Sequence, residues 1–209
     1  MSATTVKKIA IIATSTRTPR VGPSVAAWVH DVLQQNKDKN NNDNNSTIEL
    51  HQLSVADFNL PVFDEPVLPA NVPSRASFTH EHSKRWSSAI AQHDGYVLVI
   101  PEYNYGVAGG TKNAIDYLYN EWIGKPVLVV SYGVQGGKGA SRQLSEILEG
   151  MKLKVVPTRP NLAFKGGLGP DAFAAMNEGR LGEETKAEWE AGDAKEQVLR
   201  GFAELRELL

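Results

Sequence analysis

The chain of 209 residues contains 22 Lys and Arg against 24 Asp and Glu, a formal net charge of −2, with 41% hydrophobic residues and no cysteine. Its balanced charge lacks the positive field that nucleic acids and anionic membranes attract, so we expect neither as a partner. Without thiols there is no disulfide framework, thiolate metal site or thiol redox chemistry, and any electron transfer requires a bound cofactor.

Five runs of residues predict the strands of a parallel sheet. The second run, Thr47–Leu53, alternates apolar and polar residues, as a half-exposed edge strand does. The other four are continuous and rich in β-branched residues, which favours strands buried on both faces: Ile9–Ala13, Tyr96–Ile100, Val127–Val130 and Leu153–Val156. The first of them is too short for a signal or membrane segment, so we predict a cytosolic protein.

Apolar residues at helical spacing fill the gaps between these runs. They predict helices around Val25–Leu33, Thr111–Trp122 and Leu144–Met151, and a C-terminal docking helix at about 183–209. The alternation of strands and helices predicts a flavodoxin-like, three-layer, doubly wound α/β fold with a five-stranded parallel sheet in the order 2-1-3-4-5. We expect one domain over residues 1–209, with its core at about 6–165.

Two segments are expected to be irregular. Asn36–Ser46 has no apolar residue and predicts a solvated, mobile loop before the edge strand. Leu53–Thr79 contains four prolines, which predicts a surface segment that could overhang a site. The His80-Glu-His82 pair before a helix suggests a metal site, but alternate residues diverge on a helix, so we predict no metal there.

The ligand of such a sheet binds at the carboxyl ends of the strands, where three loops are unusual. After the first strand, Thr14–Arg20 offers hydroxyls, two arginines and a helix N-terminus, which suit a phosphate; an ordinary polar loop is the alternative. After the third strand, Pro101–Gly106 contains two tyrosines that could flank a flat ring. After the fourth, Ser131–Gly139 contains glycines that let backbone N–H groups approach a ligand. Taken alone, aromatic residues at such a position more often pack in a core or an interface, and glycine-rich turns are more often plain turns.

Taken in order, these motifs resemble the NADPH-dependent FMN reductase family, which includes quinone and azo-dye reductases. The resemblance covers about Lys7–Val156 and rests on Thr14-Ser-x-Arg17, Pro101-Glu-Tyr-Asn104, Lys112-Asn-Ala-Ile-Asp116, Ser131-Tyr-Gly133 and Gly136-Gly137. The family usually has glycine at the position of Thr14 and a small hydroxyl or amide residue at the position of Arg20.

The resemblance implies three groups of cofactor contacts. Ser15 and Arg17 would hold the FMN phosphate, with Arg20 as a second cation. Pro101, Glu102, Tyr103, Asn104 and Tyr105 would lie along the flavin ring, although Glu102 could instead fix its own turn. Ser131, Tyr132, Gly133, Gly136 and Gly137 would lie against the other side.

The implied activity is NAD(P)H-dependent reduction of FMN, quinones, azo compounds or related small acceptors by ping-pong hydride transfer. No catalytic side chain is expected, because the flavin N5 carries the chemistry. NADPH and NADH both remain open as the donor, and the resemblance implies a homodimer or a tetramer. Two alternatives stay open: a flavodoxin-type electron carrier, against which the charge of −2 argues mildly, and a flavin-dependent redox-sensing binding protein.

The helix predicted at Thr111–Trp122 bears Tyr117, Tyr119 and Trp122 in addition to its core stripe. This excess of apolar surface predicts a second buried face, which a homodimer interface would supply. Packing under the Pro-rich segment or the C-terminal helix is the alternative.

Overall fold

The strands of the computed structural model, which describes residues 5–39, 46–73 and 77–209, pair into one sheet. They are β1 (Thr5–Ala13), β2 (Ser46–Ser54), β3 (Gly95–Tyr103), β4 (Gly106–Val107), β5 (Pro126–Gly133), β6 (Lys154–Val155) and β7 (Asn161–Ala163). The order β2-β1-β3-β5-β6 is parallel throughout. β4 lies outside this order and forms a short antiparallel hairpin with β3. When β4 is left out of the numbering, the five parallel strands have the predicted flavodoxin-like order 2-1-3-4-5.

The fifth predicted strand is divided in two. β6 and β7 both pair in parallel with β5, at successive positions along it. Pro157 and Pro160 stand between them, and proline cannot donate to a strand ladder. The single strand predicted at Leu153–Val156 is therefore shorter than expected, and its continuation is Asn161–Ala163.

Among the described residues, seven α-helices cover the sheet: α1 (Gly22–Lys39), α2 (Glu81–Ala91), α3 (Gly109–Asp116), α4 (Lys138–Gly150), α5 (Pro170–Asn177), α6 (Glu183–Ala191) and α7 (Asp193–Glu207). Alternate strand residues point to opposite faces. In β1, Ile9 and Ile11 pack with α1, α6 and α7, whereas Ala10 and Ile12 pack with α2, α3 and α4. The two cores explain why the central strands are apolar at every position.

Three helix boundaries correct the predictions. Asn36–Lys39, predicted as loop, continues α1; residues 40–45 of the predicted loop lie outside the described residues. α3 ends at Asp116 and not at Trp122. The C-terminal segment forms α6 and α7, separated at Gly192, and Val198, Phe202 and Leu205 of α7 are buried against the sheet as predicted.

Two of the three aromatic residues that predicted a dimer interface around α3 pack inside the subunit. Tyr117 and Trp122 are fully buried; the Tyr117 hydroxyl donates to Asp64 Oδ1 at 2.9 Å, and Trp122 packs edge-on against Tyr96. Much of the apolar excess is thus used within the chain, partly beneath the Pro-rich segment. The third residue, Tyr119, is half-buried, and a dimer interface there stays a prediction.

The Pro-rich segment begins where β2 ends and includes the 3-10 turns Val55–Phe58 and Pro69–Asn71. Asn113 of α3 fastens it: the backbone N–H of Phe63 donates to Asn113 Oδ1 at 3.0 Å, and Asn113 Nδ2 donates to the Pro61 carbonyl at 2.7 Å. The segment is therefore ordered against α3 over this stretch.

Candidate functional site

A cavity of about 520 Å³ opens where the loops after β1, β3 and β5 meet. This volume lies within the range of small-molecule sites. The structure thus brings the three predicted loops together, as the topology requires. The lining residues are Arg17, Arg20, Val21, Pro101, Glu102, Tyr103, Asn104, Tyr132, Gly133, Val134, Phe164, Ala175, Met176 and Asn177.

The loop between β1 and α1 presents a cation whose Nε lacks a partner. The Nε of Arg20 is buried and has no hydrogen-bond partner among the described residues. Ser15 is buried against the Tyr132 hydroxyl and is not among the lining residues of the cavity. Buried donors without partners are costly, and such groups indicate a ligand or ordered water. In contrast, the Thr14 hydroxyl contacts the Val99 carbonyl and the Thr111 hydroxyl, so its role is structural.

The Arg17 side chain contacts the C-terminal part of the chain. Its Nη1 donates to the Met176 carbonyl at 2.8 Å, at the carboxyl end of α5. α5 and the residues just before it supply the fourth wall of the cavity through Phe164, Ala175, Met176 and Asn177. No motif or spacing in the sequence predicted this wall, because a contact between residues 159 positions apart, such as Arg17 and Met176, leaves no local pattern.

The hairpin of β3 and β4 carries the aromatic residues of the second loop. Asn104 and Tyr105 at its tip both have positive φ, 48° and 63°, as a two-residue type I′ turn requires. Tyr103 is 38% exposed and Tyr105 81% exposed. Tyr105 and Asn104 also line an adjoining cavity of about 290 Å³ with Val134 and Leu168.

Glu102 has a structural partner. Its Oε2 accepts a hydrogen bond from the backbone N–H of Ala140 at 3.0 Å, in the first turn of α4. A carboxylate at a helix N-terminus satisfies a free donor and interacts favourably with the helix dipole. This contact agrees with the expectation that Glu102 fixes a turn, although the residue also lines the cavity.

In the third loop, Tyr132 and Gly133 line the cavity, whereas Ser131, Gly136 and Gly137 shape the turn. The buried Ser131 hydroxyl donates to the Gly136 carbonyl at 2.7 Å. Gly136 has a φ of 81°, and a Cβ there would stand 2.8 Å from the Asn161 carbonyl oxygen, so only glycine fits. Burial raises the pKa of Tyr132, which keeps its phenol neutral and able to donate.

The other side of the arginine loop faces a second, more polar cavity of about 420 Å³. The Pro-rich segment forms part of its wall, as the predicted overhang implied. Its lining residues are Thr16, Thr18, Arg20, Val55, Ala56, Asp57, Asn59, Leu60, Gly110 and Asn113.

The two histidines of the His80-Glu-His82 motif do not diverge. His80 precedes α2 with extended backbone angles, and its ring stacks on that of His82 at 5.2 Å. His82 Nε2 lies 3.1 Å from Asp64 Oδ1. The two histidine side chains lie together because His80 precedes the helix and is not itself helical. Over residues 5–39, 46–73 and 77–209, no group of three or more acidic, histidine or cysteine side chains is arranged to hold a metal ion.

Comparisons with known proteins identify the relatives of this chain. The profile of the family described as NADPH-dependent FMN reductase matches residues 7–166. An NAD(P)H-dependent FMN reductase of Nectria sp. is 56% identical over 203 residues, 97% of this chain and 96% of the relative. A quinone reductase of Escherichia coli strain K12 is 37% identical over 135 residues, 59% of this chain and 63% of the relative.

The fold is also found among solved structures. A flavoenzyme NAD(P)H:(acceptor) oxidoreductase of Paracoccus denitrificans superimposes with a TM-score of 0.63 at 22% identity, covering 96% of this chain and 98% of that one. Among the described residues of this chain, no helix has the length and apolar character to cross a membrane. On the extent of the profile match and the identity to the Nectria protein, the chain belongs to the NADPH-dependent FMN reductase family of oxidoreductases.

Proposed function

We propose that this protein binds FMN in the 520 Å³ cavity and uses it to reduce FMN, quinones or related small acceptors with NAD(P)H, in a ping-pong reaction. The observation that carries the proposal is the pair of arginines, Arg17 and Arg20, that lines the cavity; the Arg20 Nε has no hydrogen-bond partner among the described residues. With Ser15 in the same loop, the two arginines form a donor set with the charge and hydrogen-bonding capacity that a phosphate dianion needs.

The remaining walls suit the rest of the cofactor. Tyr103 and Tyr132 offer aromatic surface, and Val134, Phe164 and Met176 offer apolar surface, to a flat heteroaromatic ring. Asn104, at the left-handed tip of the β3–β4 hairpin, also lines the cavity. Ser131, Gly136 and Gly137 contribute by holding the third loop in shape, so that Tyr132 and Gly133 face the cavity.

Bound FMN would supply the hydride chemistry, accepting a hydride from the nicotinamide and passing it to the acceptor. The chain's own task is to bind and orient. Arg17 and Arg20 would neutralise the phosphate, the walls would exclude water from the ring, and backbone donors would stabilise negative charge at the ring edge. Glu102 is engaged by α4 and is not assigned a proton-transfer role.

A homodimer is part of the proposal, supported by the exposed aromatic tip at Tyr105. Each hairpin would lie near the partner's cofactor. The predicted cytosolic location stays a prediction, which fractionation of cells producing the protein would check.

The test is an anaerobic absorbance titration of the purified, FMN-loaded protein with NADPH, followed by addition of a quinone. We expect bleaching of the flavin absorbance by NADPH, its recovery on adding quinone, and steady turnover without a protein partner. A flavodoxin-type carrier or a redox-sensing binding protein would not turn over in this way. Chromatography of the extracted cofactor should yield FMN; FAD, or no flavin affinity, would contradict the proposal.

A further inference from the structure

The chain beyond the family-matched region takes part in the cofactor cavity. The profile match ends at residue 166, yet Ala175, Met176 and Asn177 of α5 line the cavity beside the arginine loop. Two contacts fasten this segment to the loop. One is the 2.8 Å hydrogen bond from Arg17 Nη1 to the Met176 carbonyl.

The second contact is made by Gly179, just after α5. It has a φ of 70°, and a Cβ on this residue would lie 2.9 Å from both the backbone N and O of Arg20. Real Cβ atoms do not approach backbone atoms this closely, so a side chain here would displace one of the two segments. The chain after α5 therefore fits against Arg20 only because residue 179 is glycine.

The charges at this junction favour the same arrangement. The Met176 carbonyl belongs to the last turn of α5, where free carbonyls and the negative end of the helix dipole attract a cation. A guanidinium has five N–H donors, so the bond to Met176 leaves others available for a phosphate. α5 thus holds the side chain of Arg17, and Gly179 fixes the backbone of Arg20, whose Nε has no partner among the described residues.

We infer that the segment Ala175–Gly179 positions both arginines for the phosphate of FMN, and that Gly179 is a positioning residue for cofactor affinity. The inference rests on the proposed FMN site. It assigns a cofactor role to a part of the chain that the family profile does not cover. The opposing interpretation is that Gly179 merely ends α5 in the left-handed conformation.

The experiment compares Gly179→Ala with Gly167→Ala as a matched control. Gly167 has a φ of 66° in the same part of the chain, but a Cβ there meets nothing within 4 Å. Both substitutions carry the same kind of backbone strain, and only the first collides with Arg20. Apoprotein of each variant and of the parent is titrated with FMN and with riboflavin, which lacks the phosphate, by following flavin fluorescence.

We expect Gly179→Ala to weaken FMN binding about tenfold or more, the scale of one charge-assisted contact. Riboflavin binding should change by less than about threefold, since the effect passes through the phosphate ligands. Gly167→Ala should leave the ratio of the two affinities at the parent value. Thermal unfolding of each variant monitors the backbone strain separately.

Equal losses for FMN and riboflavin in Gly179→Ala, or no loss for either, would overturn the inference while leaving the FMN site intact. If Gly179→Ala does not fold, Gly179→Asn gives the same comparison, because asparagine tolerates positive φ but still brings a Cβ to Arg20. Failure of both to fold would show a purely structural glycine. A parent that binds no FMN would instead contradict the proposed function itself.

Discussion

The Arg17 side chain makes the clearest residue-scale prediction. Arg17→Ala removes a charge-assisted partner of the phosphate, worth about 1.5–3 kcal/mol, so FMN should bind roughly 10- to 100-fold more weakly. Turnover at saturating FMN should largely recover. Equilibrium titration of apoprotein measures the loss, and Arg206→Ala, an exposed arginine on α7, is the control. If Arg17→Ala binds FMN as tightly as the parent does, the loop is an ordinary polar turn and not the phosphate site.

The buried His93, paired with the partly exposed His51, makes a second residue-scale prediction, on pH. His93 Nδ1 donates to the Ala89 carbonyl at 2.8 Å, so its Nε2 must accept the 2.9 Å hydrogen bond from His51 Nδ1. Burial lowers the pKa of His93, although the bond to Ala89 opposes the shift. The unfolded chain therefore takes up a proton at a higher pH than the folded protein does. Stability should fall as the pH decreases below the ordinary histidine pKa of about 6.5.

Urea unfolding at pH 7.5 and pH 5.5 checks this dependence. The difference in unfolding free energy between the two pH values should shrink in His93→Gln. It should persist in His30→Gln, a histidine of α1 outside the pair. An unchanged difference in His93→Gln would show that other groups control acid stability.

At the scale of elements, the strands were predictable because their burial on two faces leaves a continuous β-branched pattern. The ends of elements were not. Apolar spacing continues past Asp116 because Leu118 and Trp122 are buried in turns, and periodicity cannot distinguish a buried turn from a helix. The polar residues Asn36–Lys39 extend α1 although no apolar side chain marks them. At the site, the loop motifs predicted three walls of the 520 Å³ cavity. The fourth wall could not be predicted, because it forms only when α5 packs against the loop between β1 and α1.

The anchoring of the Pro-rich segment gives an element-scale prediction. Asn113→Ala removes the hydrogen bonds of Asn113 to Pro61 and Phe63, whereas the Tyr117 hydroxyl still donates to the Pro61 carbonyl. The loss of these two partly exposed hydrogen bonds should cost about 1–2 kcal/mol of unfolding free energy. Proteolysis within residues 60–73 should accelerate. The control on the same helix is Asp116→Ala, which breaks only the exposed pair with Lys112 and should cost no more than about 1 kcal/mol. Equal costs would mean that the anchor is not a stabilising contact.

At the scale of the whole molecule, the remaining question is what covers the exposed aromatic tip beside the cavity. Tyr105 is 81% exposed and holds a positive φ that is unfavourable for a bulky side chain. Both features fit a residue held for a contact outside its own subunit. Trp122, in contrast, is fully buried, so a charge there would test folding and not assembly.

We therefore expect the parent to be a dimer by light scattering and Tyr105→Glu to shift the equilibrium towards monomer, because a carboxylate would be desolvated in the interface. If the hairpin completes the partner's site, Tyr105→Glu should also raise the KM for a quinone in dilute enzyme. Leu208→Glu, at the end of α7 and 39% exposed, carries the same added charge away from the hairpin and should remain dimeric. A monomeric parent would refute the dimer outright. A Tyr105→Glu variant that stays dimeric with parent kinetics would show that the interface lies elsewhere on the surface.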